Sequence, residues 1–292
     1  MTIRGFSLWA ILLVSPFFLF AQKTETERSW NQPVEPFKII GNIYYVGANE
    51  ITSFLITTPQ GHILIDGGFV ETAPQIVANI KKLGFKPGDV KFLLNSQSHH
   101  DHAGGFAELK LVTGGKLAIM EQDKAQIENG GRGDFAWGDA GLFPAVKVDR
   151  TLRDGDTIAL GETTLRAVRT PGHTKGCTTW TMRATENGKP YNVVWVCSTT
   201  APGYKLVGNS NYPNIVEDYQ RTFEILRKLP CDVFLASHGN FFNLEEKSRQ
   251  ARTNAARNPF VDPDGYRQFL DQTQRDFGAE LKRQSAQARQ SD

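Results

Sequence analysis

The most restrictive feature of this chain is the segment "NSQSHHDHAGG" at residues 95–105, which holds three of its six histidines. The apolar run "DVKFLL" comes directly before this segment and predicts a buried strand. His99, Asp101 and His102 carry imidazole and carboxylate groups, the usual ligands of catalytic zinc, and Gln97 adds an amide oxygen in the same frame. Because neighbouring residues of a tight loop point in different directions, these four side chains can reach two metal ions. The fold must therefore hold this loop at the end of a strand, with room beside it for further ligands.

Two more histidines follow strand-like segments much later in the chain, His173 in "TPGHTKG" and His238 in "ASHGN". Loops at strand ends commonly carry function on a rigid scaffold. A single histidine in such a loop is more often a hydrogen-bonding residue than a ligand, but together with residues 95–105 the two complete a ligand set for zinc. His62, at a hairpin exit, is predicted to lie on the surface. His100 stands between ligands and is predicted to support the loop rather than to bind metal.

The pattern of apolar residues predicts an α/β (α+β) fold with two sheets, each covered by helices. Strand-like runs come in two groups, with helical segments such as "ETAPQIVANIKKLGF" and "IVEDYQRTFEILRKL" between and after them. Asn187 and Gly188 predict the turn of a hairpin in the second group. The segment "DPDGYRQFLDQTQRDFGAELKRQ" predicts a helix near the end of the chain.

The first 21 residues have the composition of a signal peptide. Arg4 precedes the apolar run "LWAILLVSPFFLFA", and Ala21 is a small residue suited to cleavage. The run is shorter than the roughly 20 apolar residues of a membrane span, although an uncleaved N-terminal anchor is the alternative. We therefore expect a signal peptide at residues 1–21 and one exported domain at residues 22–292, periplasmic and without membrane contact after cleavage.

Charge and cysteine content limit the possible partners. The chain has 33 basic and 31 acidic residues and no basic run, which argues against a nucleic-acid partner. Its three cysteines, Cys177, Cys197 and Cys231, form no CxxC motif, so we expect small buried apolar residues rather than a thiolate zinc site. In an oxidising compartment the odd count leaves at least one cysteine unpaired, and a pair between Cys177 and Cys231 remains open.

Taken in order, "IDGG", "SQSHHDHAGG", "TPGHTKG" and "ASHGN" resemble the metallo-β-lactamase superfamily, and the resemblance extends from Trp30 to the last helix. It implies a four-layer αββα sandwich with a dinuclear zinc site at one edge of the two sheets. It assigns Gln97, His99 and His173 to the first zinc, and Asp101, His102 and His238 to the second.

Within the superfamily, "CSTTAPGYKLVGN", "LPCDVFLASH" and "NPFVD" resemble subclass B3. Most hydrolases of the superfamily carry a bridging aspartate at the end of the strand that here continues as "VVWVCSTTAPGYKL", and this segment has no carboxylate, as in the β-lactamases. A gapless alignment puts Ser198 at the position of the cysteine ligand of other subclasses, so Cys197 is expected to be buried and turned away from the metals. Histidine is the commoner residue at the position of Gln97, but the GOB type of subclass B3 also carries glutamine there. Because an amide oxygen is a weaker zinc ligand than imidazole, we expect a weaker first zinc site.

The resemblance implies a monomeric zinc-dependent β-lactamase that opens penicillins, cephalosporins and carbapenems with zinc-activated water, and so confers antibiotic resistance. Asp101 would hold the second zinc and orient the nucleophile, and Tyr204 would stabilise the developing oxyanion. Ser198 and Thr200 could bind the substrate carboxylate, with backbone hydrogen bonding as an equal alternative. There are two alternative functions. The first is a lactonase, thioesterase or phosphodiesterase of the same fold, and the second is a non-catalytic zinc-binding protein.

The segment "ENGGRGDFAWGDAGLFP" is rich in glycine and aromatic residues and predicts a mobile flap over the site. Phe135, Trp137 and Phe143 could contact the side groups of a substrate there. Ordinary core packing of these rings is the alternative.

Overall fold

Two β-sheets packed face to face form the centre of the molecule in the computed structural model, which describes residues 24–253 and 257–291. The signal peptide expected at residues 1–21 lies outside the described residues. The first sheet contains strands β1 to β7 in chain order, which are Phe37–Ile40, Ile43–Tyr45, Phe54–Thr58, Gly61–Ile65, Val90–Leu94, Lys116–Met120 and Arg150–Leu152. The second sheet contains strands β8 to β12, which are Thr157–Leu160, Thr163–Arg169, Thr178–Glu186, Lys189–Val196 and Val233–Ala236.

Helices cover the outer faces of both sheets. In the described part of the chain, helices α1 to α8 are Glu25–Trp30, Ala73–Lys82, His100–Ala103, Phe106–Thr113, Lys124–Glu128, Ile215–Lys228, Leu244–Arg252 and Pro263–Ser291. Short 3-10 helices occur at Val70–Thr72, Pro87–Asp89, Glu121–Asp123 and Gly239–Phe242. This arrangement confirms the predicted αββα sandwich. No helix in the described ranges is both long and apolar enough to cross a membrane.

Strand direction brings the loops that follow several strands to one edge of the molecule. In the first sheet, β4, β5, β6 and β7 run parallel, so the loops after β4, β5 and β6 share an edge. In the second sheet, β9 to β11 are antiparallel neighbours and β12 is parallel to β11, so β9, β11 and β12 all point the same way. The loops that carry the six predicted ligands follow β5, β9 and β12.

The main core fills the space between the sheets, and alternation along the strands explains how β4 is buried on both faces. Ile63 and Ile65 belong to the cluster between the sheets, whereas Leu64 belongs to a second cluster with Ile76 and Ile80 of α2. All five side chains are about 1% exposed or less. A run of apolar residues without polar alternation is the expected pattern for a strand covered on both sides.

The predicted helices and the predicted hairpin are confirmed. Asn187 and Gly188 form the turn between β10 and β11 with positive φ angles of 51° and 77°, as a type I′ turn requires. Gly84 follows the end of α2 with φ 85°, a conformation that glycine adopts without strain. Helix α8 buries Tyr266 and Leu270 against the main core, in agreement with its amphipathic pattern.

One expectation about a single residue is wrong. His62 is not on the surface: it lies in β4, is 7% exposed, and its ring contacts Phe85 edge-on at 5.0 Å between centroids. The expected burial of Cys177 and Cys197 is confirmed, and the structure joins these two residues in a disulfide, a pairing that the sequence had left open. Because its sulfur is bonded to Cys177, Cys197 is not available as a thiolate ligand. Cys231 is a free, partly exposed cysteine.

Candidate metal centre

The fold brings all six predicted metal ligands to the edge where the two sheets meet. Gln97 and His99 lie in the loop after β5, and Asp101 and His102 lie in the one-turn helix α3 that follows it. His173 comes from the loop after β9 and His238 from the loop after β12. The first sheet therefore contributes four of these side chains and the second sheet two.

Gln97, His99 and His173 form the first group. The Oε1 atom of Gln97 lies 2.7 Å from Nδ1 of His99, and the same Nδ1 lies 3.2 Å from Nε2 of His173. All three residues are at most 5% exposed. The Nε2 atom of His99 is 3.5 Å from a carboxylate oxygen of Asp134 in the flap.

Asp101, His102 and His238 form the second group, in which one possible ligand atom from each residue lies within 4.8 Å of the others. The Nε2 atoms of His102 and His238 are 3.2 Å apart, and Oδ2 of Asp101 is 3.2 Å from the former and 3.5 Å from the latter. His102 is completely buried, Asp101 is buried, and His238 is partly buried.

The donor set of both groups fits two divalent zinc ions. Each group offers two imidazole nitrogens and one oxygen, as at a zinc site with three protein ligands and an open position. Imidazole nitrogens of His99 and His173 face each other at 3.2 Å, where at most one of them carries the proton. The buried amide nitrogen of Gln97 has no hydrogen-bond partner in the described chain, so protein hydrogen bonds do not account for the burial of this side chain.

Burial and neighbouring charges favour the neutral form of two of the candidate ligand histidines. Burial lowers the pKa of His173 well below its usual range, and a like charge on His99 lowers it further. Burial, followed by the charge of His102, lowers the pKa of His238 to about 4. His102 differs: burial lowers its pKa, but the charge and hydrogen bond of Asp101 and the contact with Asp66 outweigh this and raise the pKa to about 10.

Neighbouring groups fix the orientation of two ligand rings. His173 donates a hydrogen bond from Nδ1 to the backbone carbonyl of Thr200 at 2.8 Å, which leaves Nε2 directed at the first group. Nδ1 of His102 lies 3.6 Å from Oδ2 of Asp66, whose two oxygens each accept a bond of 2.6 Å from Ser96. Asp66 sits at the end of β4 with φ 62°, an uncommon conformation for a residue other than glycine.

His100 stands among the ligands in sequence but turns away from them. Its Nε2 atom lies 2.8 Å from a carboxylate oxygen of Glu27 in α1, and its ring lies 5.5 Å from that of Phe69 between centroids. The contact with Glu27 joins α1 to the metal loop.

A cleft of about 650 Å³ opens above the two groups. Trp137 and Phe143 of the flap form one wall, and the ring of Trp137 lies 4.5 Å from that of His99 between centroids. Thr200 and Phe241 line another part. The cleft-lining residues include histidine and acidic side chains but neither lysine nor arginine within the described ranges.

Of the six residues predicted to contact substrate, Trp137, Phe143 and Thr200 line this cleft. Phe135 instead packs edge-on against the rings of Tyr204 and Tyr212, at 5.1 and 4.9 Å. Tyr204 is 1% exposed, and its hydroxyl donates a hydrogen bond of 3.0 Å to the backbone carbonyl of His173. The hydroxyl of Ser198 is 3.1 Å from that of Thr200. The contacts of these residues with a substrate stay predictions.

Sequence reasoning missed two carboxylates that support the ligands, Asp66 and Asp123. Asp66 occurs in the quoted segment "IDGG", and its position at the end of a strand beside β5 was the available signal. Asp123 is 3% exposed and accepts hydrogen bonds from residues next to the ligands. No sequence pattern marks it, because its partners lie 25 and 51 residues away.

Comparison with known proteins identifies the family of this chain. The model of the metallo-β-lactamase superfamily matches residues 46–185. The structure of the FEZ-1 metallo-β-lactamase from Legionella gormanii is 44% identical, with 87% of this chain and 98% of that chain covered and a TM-score of 0.85. BJP-1, a subclass B3 metallo-β-lactamase of Bradyrhizobium japonicum, is 39% identical, with 89% of this chain and 98% of that chain covered and a TM-score of 0.84.

A curated relative with a different name also aligns, over a shorter range. The N-acyl homoserine lactonase AttM of Agrobacterium fabrum is 30% identical over 170 residues, which are 47% of this chain and 60% of the lactonase. The alignment therefore spans less than two thirds of that relative, whereas the two β-lactamase structures are matched over almost their whole length. The chain belongs to the metallo-β-lactamase superfamily of hydrolases, in its subclass B3.

Proposed function

We propose that this protein is a zinc-dependent β-lactamase that hydrolyses the lactam amide of penicillins, cephalosporins and carbapenems. The observation that carries the proposal is the convergence of six ligand side chains beneath an open cleft, on a chain that matches two metallo-β-lactamase structures over nearly their full length. The absence of a carboxylate at the end of β11, in "VCSTT", supports the β-lactamase alternative over other hydrolases of the fold. We further propose that the enzyme acts as a monomer in the periplasm and confers antibiotic resistance.

Gln97, His99 and His173 would hold one zinc ion, and Asp101, His102 and His238 would hold the other. Zinc bound at such sites supplies a Lewis acid and lowers the pKa of water to near ~7. We expect weaker binding at the first site because its oxygen ligand is the neutral amide of Gln97.

The protein's own groups would orient the substrate and the ligands. Asp101 lies between His102 and His238, where its carboxylate can accept a proton or hold a hydrogen bond from the attacking water. Trp137 offers an apolar surface beside His99, and the hydroxyl of Thr200 is available at the cleft wall. Tyr204 would have to give up its bond to the His173 carbonyl before it could stabilise an oxyanion, so its hydroxyl would change partner during the reaction.

A zinc lactonase is the second candidate, supported by the alignment with the AttM lactonase. Lactones and lactams both need attack on a cyclic carbonyl, and the same metal centre serves either reaction. The shorter coverage of this relative, together with the missing carboxylate after β11, ranks the lactonase second.

The test is hydrolysis of a carbapenem, a cephalosporin and an N-acyl homoserine lactone by the purified domain, residues 22–292. Each assay is run with added zinc, with a chelator, and with His102→Ala. His62→Ala serves as the control because His62 lies in β4 and does not line the cleft. We expect chelator-sensitive lactam turnover that His102→Ala abolishes and His62→Ala retains. Turnover of the lactone alone would replace the proposal with the second candidate.

Cellular fractionation tests the proposed location, and size-exclusion chromatography with light scattering tests the monomer. Expression of the full chain should raise the carbapenem concentration that inhibits growth, and a version without residues 1–21 should not. Equal protection by both versions would contradict export.

A further inference from the structure

Asp123 is a buried carboxylate outside the ligand set that joins the loops of the two sheets. It ends the short 3-10 helix after β6, at the same edge as the metal ligands. Its Oδ2 atom accepts hydrogen bonds from the backbone N–H of Ser98 at 3.2 Å and from the hydroxyl of Thr174 at 2.6 Å. Its Oδ1 atom accepts a bond of 2.6 Å from the backbone N–H of Gly176.

Two of the three partners of Asp123 are immediate neighbours of the first-group residues. Ser98 lies between Gln97 and His99, and Thr174 follows His173 directly. Ser98 belongs to the loop after β5 of the first sheet, whereas Thr174 and Gly176 belong to the loop after β9 of the second sheet. One carboxylate therefore fixes the distance between the two loops at the point where the first group meets.

The packing around Asp123 leaves no freedom for the loops to separate without breaking these bonds. Asp123 is 3% exposed, so water does not replace a lost partner easily. Gly176 approaches so closely that a Cβ atom added there would lie 2.6 Å from both Cγ and the backbone nitrogen of Asp123. Another bond between the sheets, from the N–H of Thr178 to the carbonyl of Ser96 at 2.7 Å, also lies beside Gln97, but its donor is five residues from His173.

We infer that Asp123 is a positioning residue that sets the geometry, and hence the metal affinity, of the first metal site. The inference rests on the proposed zinc centre and extends it to a residue that binds no metal. It also predicts selectivity between the sites, because in the described chain none of the hydrogen bonds of Asp123 reaches a residue next to Asp101 or His238. Loss of a group that hydrogen-bonds to a ligand typically lowers metal affinity by about 10- to 100-fold, and we adopt this range for Asp123, which bonds to the residues beside the ligands.

Asp123→Asn is the first variant, because asparagine keeps the size of the side chain but turns an N–H₂ group toward at least one of the three donors. Thr174→Val removes one bond of the three and provides a milder variant if Asp123→Asn folds poorly. The matched control is Asp232→Asn. Asp232 accepts two bonds from Asn192 at 2.8 and 2.9 Å, but it lies at the opposite end of the second sheet, before β12.

The measurement is the stepwise affinity of the metal-free proteins for Zn²⁺, by competition with a chromophoric chelator, with native mass spectrometry to count bound ions. His173→Ala identifies which of the two steps belongs to the first site. We expect Asp123→Asn to lower that step about 10- to 100-fold, Thr174→Val to lower it less, and both to leave the other step within about twofold. Asp232→Asn should change neither step.

An unchanged first step, or equal loss at both sites, would overturn the inference, since a general loss of stability affects both sites alike. Hydrogen exchange of the metal-free proteins gives a readout that does not depend on zinc: the amides of Ser98 and Gly176 should exchange faster in Asp123→Asn than in Asp232→Asn. If the parent binds no zinc, the proposed function fails, and equal exchange in the two variants would then separately remove the claim that Asp123 joins the loops.

Discussion

Removal of the Cys177–Cys197 disulfide should destabilise the protein by about 3 kcal/mol. The bond closes a loop with a sequence separation of 20 residues. In the chain-entropy treatment, a cross-link around a loop of that length restricts the unfolded chain by about 3 kcal/mol at 25 °C. The folded state changes little when the bond is lost, because the strands β10 and β11 that it joins remain paired over seven residue pairs.

The perturbation is the double variant Cys177→Ala/Cys197→Ala, compared with the parent by urea unfolding in the presence of a chelator. The chelator removes the contribution of bound metal, which would otherwise stabilise both proteins by an amount that depends on zinc concentration. A loss of ~3 kcal/mol corresponds to a fall in melting temperature of roughly 6–12 °C for a domain of this size. Cys231→Ala is the control, since this residue is a free cysteine.

Reduction of the parent provides a check. It breaks the disulfide but keeps both sulfur atoms, which are completely buried, whereas the alanine variant removes these atoms as well. The reduced parent and the double variant should agree to within about 1 kcal/mol, the usual cost of a small core truncation. A loss below ~1 kcal/mol in both, or a loss equal to that of Cys231→Ala, would refute the entropic reasoning.

Three further predictions concern the metal loop, a glycine and an ion pair. Gln97→His should tighten the weaker zinc site, because imidazole is the stronger ligand, and equal affinities in a zinc titration would contradict this. Gly172→Ala should destabilise the fold and weaken zinc binding, because Gly172 has φ 132° and an added Cβ would lie 2.8 Å from the ring of Tyr219; an unchanged urea midpoint would count against it. Burial raises the pKa of Asp262, but its ion pair of 2.7 Å with Lys247 outweighs this and lowers the pKa below the ordinary 3.8. A depressed folded pKa contributes stability that is present above the ordinary pKa of 3.8 and is lost as the pH falls through the folded value. The unfolding midpoints of Asp262→Asn and the parent should therefore differ at pH 7 and move together as the pH falls below 3.8, and a constant difference would refute the assignment.

The clustering of the six candidate ligands could be predicted from the sequence because each candidate follows an apolar strand and carries a distinctive functional group. Local spacing predicts His99, Asp101 and His102 as ligands, and the similar positions after strands predict His173 and His238. The hairpin at Asn187 is equally local, since its turn residues determine the register.

What the sequence could not supply are contacts between segments that are far apart. Asp123 has ordinary neighbours in sequence, and its importance depends on a partner 51 residues away. The burial of His62 depends on Phe85, which packs over β4 from outside the strand.

The disulfide could be predicted in part, because its two cysteines flank the strands of one hairpin. The hairpin register pairs Trp180 with Trp195, and two further residues along each strand bring the chain to Thr178 opposite Cys197. Cys177 is next to that position. The pairing follows once the hairpin is assumed, whereas composition alone predicted only that the cysteines are buried.

The division of the ligands between two sheets has a consequence for how the protein matures. His99 and His173 are 74 residues apart, and His102 and His238 are 136 residues apart. Neither ligand group exists until the sheets have docked, so a chain exported unfolded would capture zinc late, after its core has formed. Once bound, each ion would cross-link the two sheets. A limited supply of zinc would leave the protein without these cross-links. The availability of metal would then determine how long the folded enzyme survives as well as how fast it works.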